Sequence, residues 1–297
     1  MATWRRETRH ALVANAWRRR RVVAFAHQGG SFEAPSSTLL AVGQAIARGA
    51  NAIELDVHAT KDRHLVVCHD ETVDRTTNHH GAIVDFTLEQ LREMDNAYWW
   101  IAGDTVTHGR DDDEYVYRGD APQDRRLGIA TLDEVCAAFP EVMLNLDIKR
   151  TGPDVEPYEE LLANELRRLA RTNTVIVASF HDSAIQSFRA SAPEVATSAA
   201  TNEMAVFYFA MIEGATPVVP PVAAFQVPMT VQGVRVVTDQ FVEAAHAADV
   251  AVHVWTINER DEMAQLVDLD VDGIISDRPT PLVALLEERG CQWDGVW

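Results

Sequence analysis

The stretch from Val22 to Gly81 decides the fold. It opens with the apolar run Val22-Val23-Ala24-Phe25-Ala26, ends that run on His27, and continues into Gly29-Gly30. It then reads Ala52-Ile53-Glu54-Leu55-Asp56-Val57, an apolar strand carrying two carboxylates two residues apart. It closes with Leu65-Val66-Val67-Cys68-His69-Asp70, a further apolar run ending on histidine. Side chains two apart on a strand point to one face, so Glu54 and Asp56 point together, away from Ile53, Leu55 and Val57. Two carboxylates on a buried strand face repel one another and lose hydration unless a cation lies between them. A hard divalent ion with oxygen ligands removes both penalties. Two imidazoles at nearby strand ends supply candidates for general acid and base.

Outward from this stretch, apolar runs alternate with amphipathic ones. Strand-like runs are Val22–Ala26, Ala52–Val57, Val142–Ile148, Thr174–Ser179, Val195–Ser198, Val222–Val227, Val250–Trp255 and Gly273–Ser276. Helical patterns cover Thr38–Arg48, Glu156–Arg171, Asp182–Ala190, Asn202–Ile212, Asp239–Ala248, Asp261–Leu269 and Pro281–Glu288. Short, nearly continuous apolar strands separated by helices predict a closed parallel barrel, a TIM (β/α)8 architecture. An open doubly wound sheet is the alternative, but Gly29-Gly30 lacks the third glycine of a dinucleotide fingerprint. The length of 297 residues fits one such barrel with an insertion.

That insertion follows the second strand. Residues 70 to 141 are too long for an ordinary connection. Thr87–Met94 and Thr131–Ala138 read as helices; about 96–128 holds Trp99-Trp100, the acidic run Asp111 to Glu114, and Tyr115-Val116-Tyr117-Arg118. On a barrel it lies over the C-terminal face. It reads either as a lid or specificity wall, or as a surface excursion whose tryptophans cover apolar barrel surface.

The net charge of −19 excludes nucleic acid as a partner. Cys68, Cys136 and Cys291 stand at no ligand or disulfide spacing, and no run reaches the roughly eighteen apolar residues of a spanning helix, so a cytoplasmic protein is expected. Residues 1–21 carry Arg5, Arg6, Arg9 and Arg18 to Arg21 against a single acid, Glu7. They read as a basic N-terminal helical segment ahead of one barrel domain, 22–297. Closing the bottom of the barrel is favoured for it over contact with an anionic membrane surface.

Barrel enzymes place functional groups at the C-terminal ends of strands. By that rule His27 ends strand 1, Glu54 and Asp56 end strand 2, Asp147 and Lys149 end strand 3, and Trp255 ends strand 7. The ordered set His27-Gln28-Gly29, Ala34 to Thr38, Glu54-Leu55-Asp56, His69-Asp70 and Asp74 to Asn78 resembles the glycerophosphodiester phosphodiesterase family. The likeness extends to Leu144 to Lys149, Val252 to Asn258 and Asp270 to Pro279.

The resemblance implies metal-dependent hydrolysis of a glycerophosphodiester to glycerol 3-phosphate and an alcohol, with His27 and His69 as the acid–base pair. It implies a divalent ion, Mg2+ or Ca2+, on Glu54, Asp56 and Asp147, where the family usually has Glu in place of Asp147. Substrate contacts fall to Gln28, Lys149 and Trp255. Asp270 to Pro279 reads as architectural. Gln28 stands where the family has Arg, and Ser36-Ser37 where it has Glu-Asn, so a neutral pair replaces a charged one. Two other readings follow: lysophospholipase D-type activity on lipid diesters, and a non-catalytic binding protein of the same fold.

Overall fold

The computed structural model describes residues 15–18, 22–149 and 155–293. Eight parallel strands form the barrel: β1 Val23–His27, β2 Ala52–Ala59, β3 Met143–Ile148, β4 Val175–Ala178, β5 Ala196–Thr197, β6 Ala224–Pro228, β7 Ala251–Trp255 and β8 Gly273–Ser276. Each pairs with its sequence neighbour, and β8 pairs with β1 in register Val23–Gly273 to Ala26–Ser276. One parallel bridge, Ser198 to Ala224, joins β5 to β6 and completes the ring. The fold class expected from the alternating pattern is the one observed.

The strands read as nearly continuous apolar runs because each face meets a different core, with polar exceptions on the inner faces of β2 and β3. Ile53, Leu55 and Val57 of β2 point outward to the helices. Phe25, Ala52, Met143, Ile176 and Ile275 fill the interior, over which Trp17 packs from below, 6.5 Å from the Phe25 ring and 6.1 Å from His253. The expected N-terminal helical segment 1–21 otherwise lies outside the described residues.

Helices cover the outside: α1 Leu39–Ala47, α2 Leu88–Arg92, α3 Leu132–Ala138, α4 Glu159–Arg168, α5 Asp182–Ser191, α6 Thr201–Ile212, α7 Asp239–Ala247, α8 Arg260–Asp268 and α9 Pro279–Arg289. Thr38, Thr87, Thr131 and Thr238 each accept a backbone N–H at a helix start, which fixes where those helices begin. Among the described residues no helix is long and apolar enough to cross a membrane.

Most element boundaries shift by one to three residues from the sequence reading, and one shift bears on the site. β2 does not stop at Val57 but runs to Ala59, so Glu54 and Asp56 lie within the strand rather than at its end. Val57, His58 and Ala59 pair antiparallel with the short strand Leu65–Val67, which extends β2 above the barrel rim. His69 therefore sits on a loop after this added strand, not at the end of a barrel strand. From there the chain enters the insertion, which carries α2, then turns and single 3-10 turns, and just before α3 the two-residue strand Ala130–Thr131, paired antiparallel with Leu65–Val67. The Arg118 guanidinium is packed on the rings of Tyr115 (3.6 Å), Tyr98 (4.6 Å) and Trp99 (4.6 Å), a cation–π arrangement that knits the insertion together. The tryptophan pair is tied to loops: Trp99 Nε1 donates to Thr77 O at 2.8 Å, and buried Trp100 Nε1 donates to Ser31 O at 2.8 Å.

Candidate active site

The mouth of the barrel is built from β1, β2, β3 and their following loops. In the β2–β3 register Asp56 stands opposite Asp147, and in the β1–β2 register His27 stands opposite Glu54. The period-2 rule thus brings Glu54, Asp56 and Asp147 into the lumen together. All three are buried. Burial, and then the charge of Asp56, push the Glu54 carboxyl up to about 8. Burial likewise raises Asp56 against the pull of Lys149.

Lys149 reaches back over the cluster. Its Nζ lies 3.0 Å from Asp56 Oδ1 and 2.8 Å from Asp147 Oδ2. Burial alone would lower its pKa, but Asp56 and Asp147 outweigh that and hold it charged. One ammonium does not satisfy the cluster. Asp56 Oδ2 and Asp147 Oδ1 remain buried without a hydrogen-bond partner. Three inward carboxylates, two unpartnered oxygens and a raised Glu54 make a donor set that fits a hard divalent cation. Among the described residues no group of three or more His, Cys, Asp or Glu side chains is already disposed as a metal cage; the lysine stands between two of the three carboxylates.

The two imidazoles are 6.2 Å apart, edge to face. Each is anchored by its own aspartate. His27 Nδ1 lies 2.6 Å from Asp277 Oδ1. Asp277 Oδ1 also accepts from Ser31 Oγ at 2.7 Å, and its Oδ2 accepts from Asn258 Nδ2 at 2.8 Å. Burial tends to raise Asp277, but these bonds hold it below the usual carboxylate range. The His27 ring loses basicity to burial and regains more from Glu54 and Asp277, ending near 9. His69 Nδ1 lies 2.6 Å from Asp70 Oδ1, and Arg75 Nε pairs with the other oxygen of Asp70. Burial notwithstanding, the bonds from His69 and Arg75 hold Asp70 down at about 2.

Gln28 follows His27 in the left-handed region at φ 53, and Gly29 at φ 81 continues the turn. A Cβ on Gly29 would stand 2.8 Å from Ala41 Cβ, so only glycine lets the loop lie against α1. Ser36 Oγ donates to Gln28 Oε1 at 2.6 Å, which turns the amide NH2 toward His27 Nε2 at 3.3 Å. The two departures from the family pattern are therefore partners. Trp255, half-buried at the end of β7, meets Phe180 edge-on at 5.6 Å, and Lys149 Nζ lies 5.6 Å from the Phe180 ring. Beside them opens a cleft of about 350 Å3 lined by His69, Asp70, Glu71, Lys149, Phe180 and His181.

Every residue singled out from the sequence thus lies at this mouth or on its wall. Two anchors were missed. Asp277 was read as architectural, yet it holds His27. Its signal was available: it follows Ser276 at the C-terminal end of the eighth strand, which closes against the first. Asp70 was quoted only as part of a motif, and its adjacency to His69 carries no periodic signal.

The barrel mouth gathers two imidazoles, three carboxylates and an ammonium on the face where α/β-barrel enzymes carry their chemistry. A profile of the Glycerophosphoryl diester phosphodiesterase family matches residues 27–280, and the chain belongs to that family. A glycerophosphodiester phosphodiesterase of Caldanaerobacter subterraneus subsp. tengcongensis is 30% identical over 274 residues, covering 91% of this chain and 100% of the relative. One from Bacillus altitudinis is 28% identical, covering 89% and 98%. Among solved structures, a glycerophosphoryl diester phosphodiesterase domain from Mycobacterium tuberculosis superposes with TM-score 0.73 at 17% identity, covering 90% of this chain and 99% of that one. An Oleispira antarctica phosphodiesterase in complex with the product sn-glycerol-3-phosphate superposes with TM-score 0.67 at 22% identity, covering 89% and 96%.

Proposed function

We propose that this protein hydrolyses glycerophosphodiesters to glycerol 3-phosphate and an alcohol, through a divalent cation site and two histidines. The observation that carries the reading is the pairing of two aspartate-anchored imidazoles, 6.2 Å apart, with three inward carboxylates that retain two unpartnered oxygens. Family membership supports the substrate class.

Glu54, Asp56 and Asp147 would hold the ion, Mg2+ or Ca2+, which when bound supplies positive charge against the phosphoryl oxygens. Lys149 offsets charge on a non-bridging oxygen, its ammonium kept in place by Asp56 and Asp147. Gln28 offers an N–H but no charge, so the phosphate is held by the lysine side of the cleft more than by the His27 loop. One imidazole takes a proton from the attacking water as the water oxygen bonds to phosphorus. The other gives a proton to the alcohol oxygen as the phosphorus–oxygen bond breaks. Asp277 and Asp70 hold both rings by Nδ1, so the transfers fall to the Nε2 atoms; that of His27 lies 3.3 Å from Gln28 Nε2 and 3.7 Å from Glu54 Oε2, contacts that substrate must displace or share. Trp255 and Phe180 present an apolar wall suited to the carbon skeleton of the glycerol. The whole apparatus belongs to one barrel domain, 22–297, with 96–128 as its insertion.

The test is release of glycerol 3-phosphate from glycerophosphocholine and glycerophosphoethanolamine, in EDTA and with Mg2+ or Ca2+ added back. The reading predicts release only with metal, and its loss in Asp56→Asn. Release in EDTA at an undiminished rate would sink the cation site. No release with either diester would turn attention to lysophospholipids.

A further inference from the structure

The two imidazoles work as a pair only if their separation is held, yet they sit on different loops. A single buried side chain ties those loops together. Asn96, at the start of the insertion, is 2% exposed. Its Oδ1 accepts from Thr76 Oγ1 at 2.6 Å, and its Nδ2 donates to the Ser36 carbonyl at 3.1 Å. Thr76 follows Arg75, which holds Asp70, the anchor of His69. Ser36 holds Gln28, whose amide faces His27. A continuous path therefore runs from His27 through Gln28, Ser36, Asn96, Thr76, Arg75 and Asp70 to His69.

The chemistry of the link suits an amide and little else. A carboxamide offers one acceptor and one donor group on the same short stem. Asp in its place would turn an acceptor toward the Ser36 carbonyl. Ala would leave the buried Thr76 hydroxyl and Ser36 carbonyl without partners. Thr76 and Ser36 are themselves buried, so water does not readily replace the lost bonds. The neighbouring bonds from Trp99 to Thr77 and from Trp100 to Ser31 fasten the insertion to the same two loops.

We propose that Asn96 is a positioning residue: it fixes the His27 loop against the His69 loop, and through it the insertion sets the geometry of the acid–base pair. The proposal rests on the two-histidine hydrolysis above. It is tested on the full chain with Mg2+ and glycerophosphocholine, comparing wild type, Asn96→Ala, Thr76→Val and the double variant. Melting temperatures and the ring 15N resonances of His27 and His69 are recorded for each.

The expected result is a fall in kcat of about 10-fold in each single variant, with KM nearly unchanged, because misplacement of catalytic groups acts on the chemical step. The double variant should lose no more than either single, since both cut one link. The His69 resonances should move in Asn96→Ala although Asn96 touches neither ring. A folded Asn96→Ala with unchanged kcat and unmoved resonances would overturn the proposal, as would fully additive losses. Should Asn96→Ala fail to fold, the near-isosteric Thr76→Val carries the same comparison. If wild type turns over no diester, the proposed function fails, and the ring resonances alone decide whether Asn96 positions the histidines.

Discussion

In the proposed hydrolysis His27 and His69 do the same kind of work, but from opposite kinds of support. His27 closes a barrel strand, and its anchor Asp277 closes the strand beside it. Asp277 in turn is held by Ser31 and Asn258. His69 stands on a loop above the rim, with an anchor next to it in sequence and an arginine from five residues on. Its side chain is 37% exposed, against 19% for His27. The first imidazole is oriented by the sheet itself; the second needs the insertion to brace its loop. The fold thus supplies half of the acid–base pair as a consequence of barrel closure, and the insertion supplies the other half.

The comparison is broken most sharply by removing the anchors. Asp277→Asn should lower kcat by on the order of 10²-fold, because it releases a ring that also faces Glu54 at 3.7 Å. Asp70→Asn should cost about 10-fold, since the insertion still restrains the loop. Steady-state kinetics of the two variants decide it, and equal losses would remove the distinction between sheet-held and loop-held histidines.

How much of this was legible follows the same division. The eight strands were readable because each is a short, nearly continuous apolar run bounded by turns. The carboxylate set was readable because strand parity fixes which side chains share a face. The overrun of β2 was not, because His58 and Ala59 find partners only once Leu65–Val67 folds back on them. Asp277 lies 250 residues from His27 in sequence. Its place just past the eighth strand is a signal, but one that is read only once β8 is known to close on β1. Asn96 gave no signal at all: a single amide in a loop has neither period nor spacing.

A second contrast sets the two histidines of the site against two that are held in apolar or crowded surroundings. His58 and His253 are buried and each has an Nε2 without a partner. Burial pushes both down to about 4. A depressed histidine pKa means that the unfolded chain takes up a proton first as pH falls below about 6.5, the unperturbed value. Stability is therefore full above that value and is lost as pH falls toward 4, by roughly 2 kcal/mol per histidine at pH 5. Urea unfolding at pH 7.5 and pH 5 should show the loss, and His253→Gln should reduce it. An unchanged slope in that variant would contradict the assignment to His253.

The smallest effect concerns the insertion alone. Arg118→Leu removes the guanidinium from between Tyr98, Trp99 and Tyr115 and should cost about 1 kcal/mol of stability. Faster proteolysis within 102–118, with barrel melting little changed, would show that the insertion loosens by itself. A matching drop in barrel stability would show that the two regions unfold as one.

The central claim is that the two histidines act together as acid and base, and one measurement addresses it directly. Metal-dependent release of glycerol 3-phosphate from glycerophosphocholine should be timed for wild type, His27→Ala, His69→Ala and the double variant. The account predicts that each single change lowers kcat by about 10²- to 10⁴-fold. It also predicts that the double falls well short of the product of the two losses, as expected for groups that act as a unit. Either single variant retaining a rate close to wild type would contradict the account.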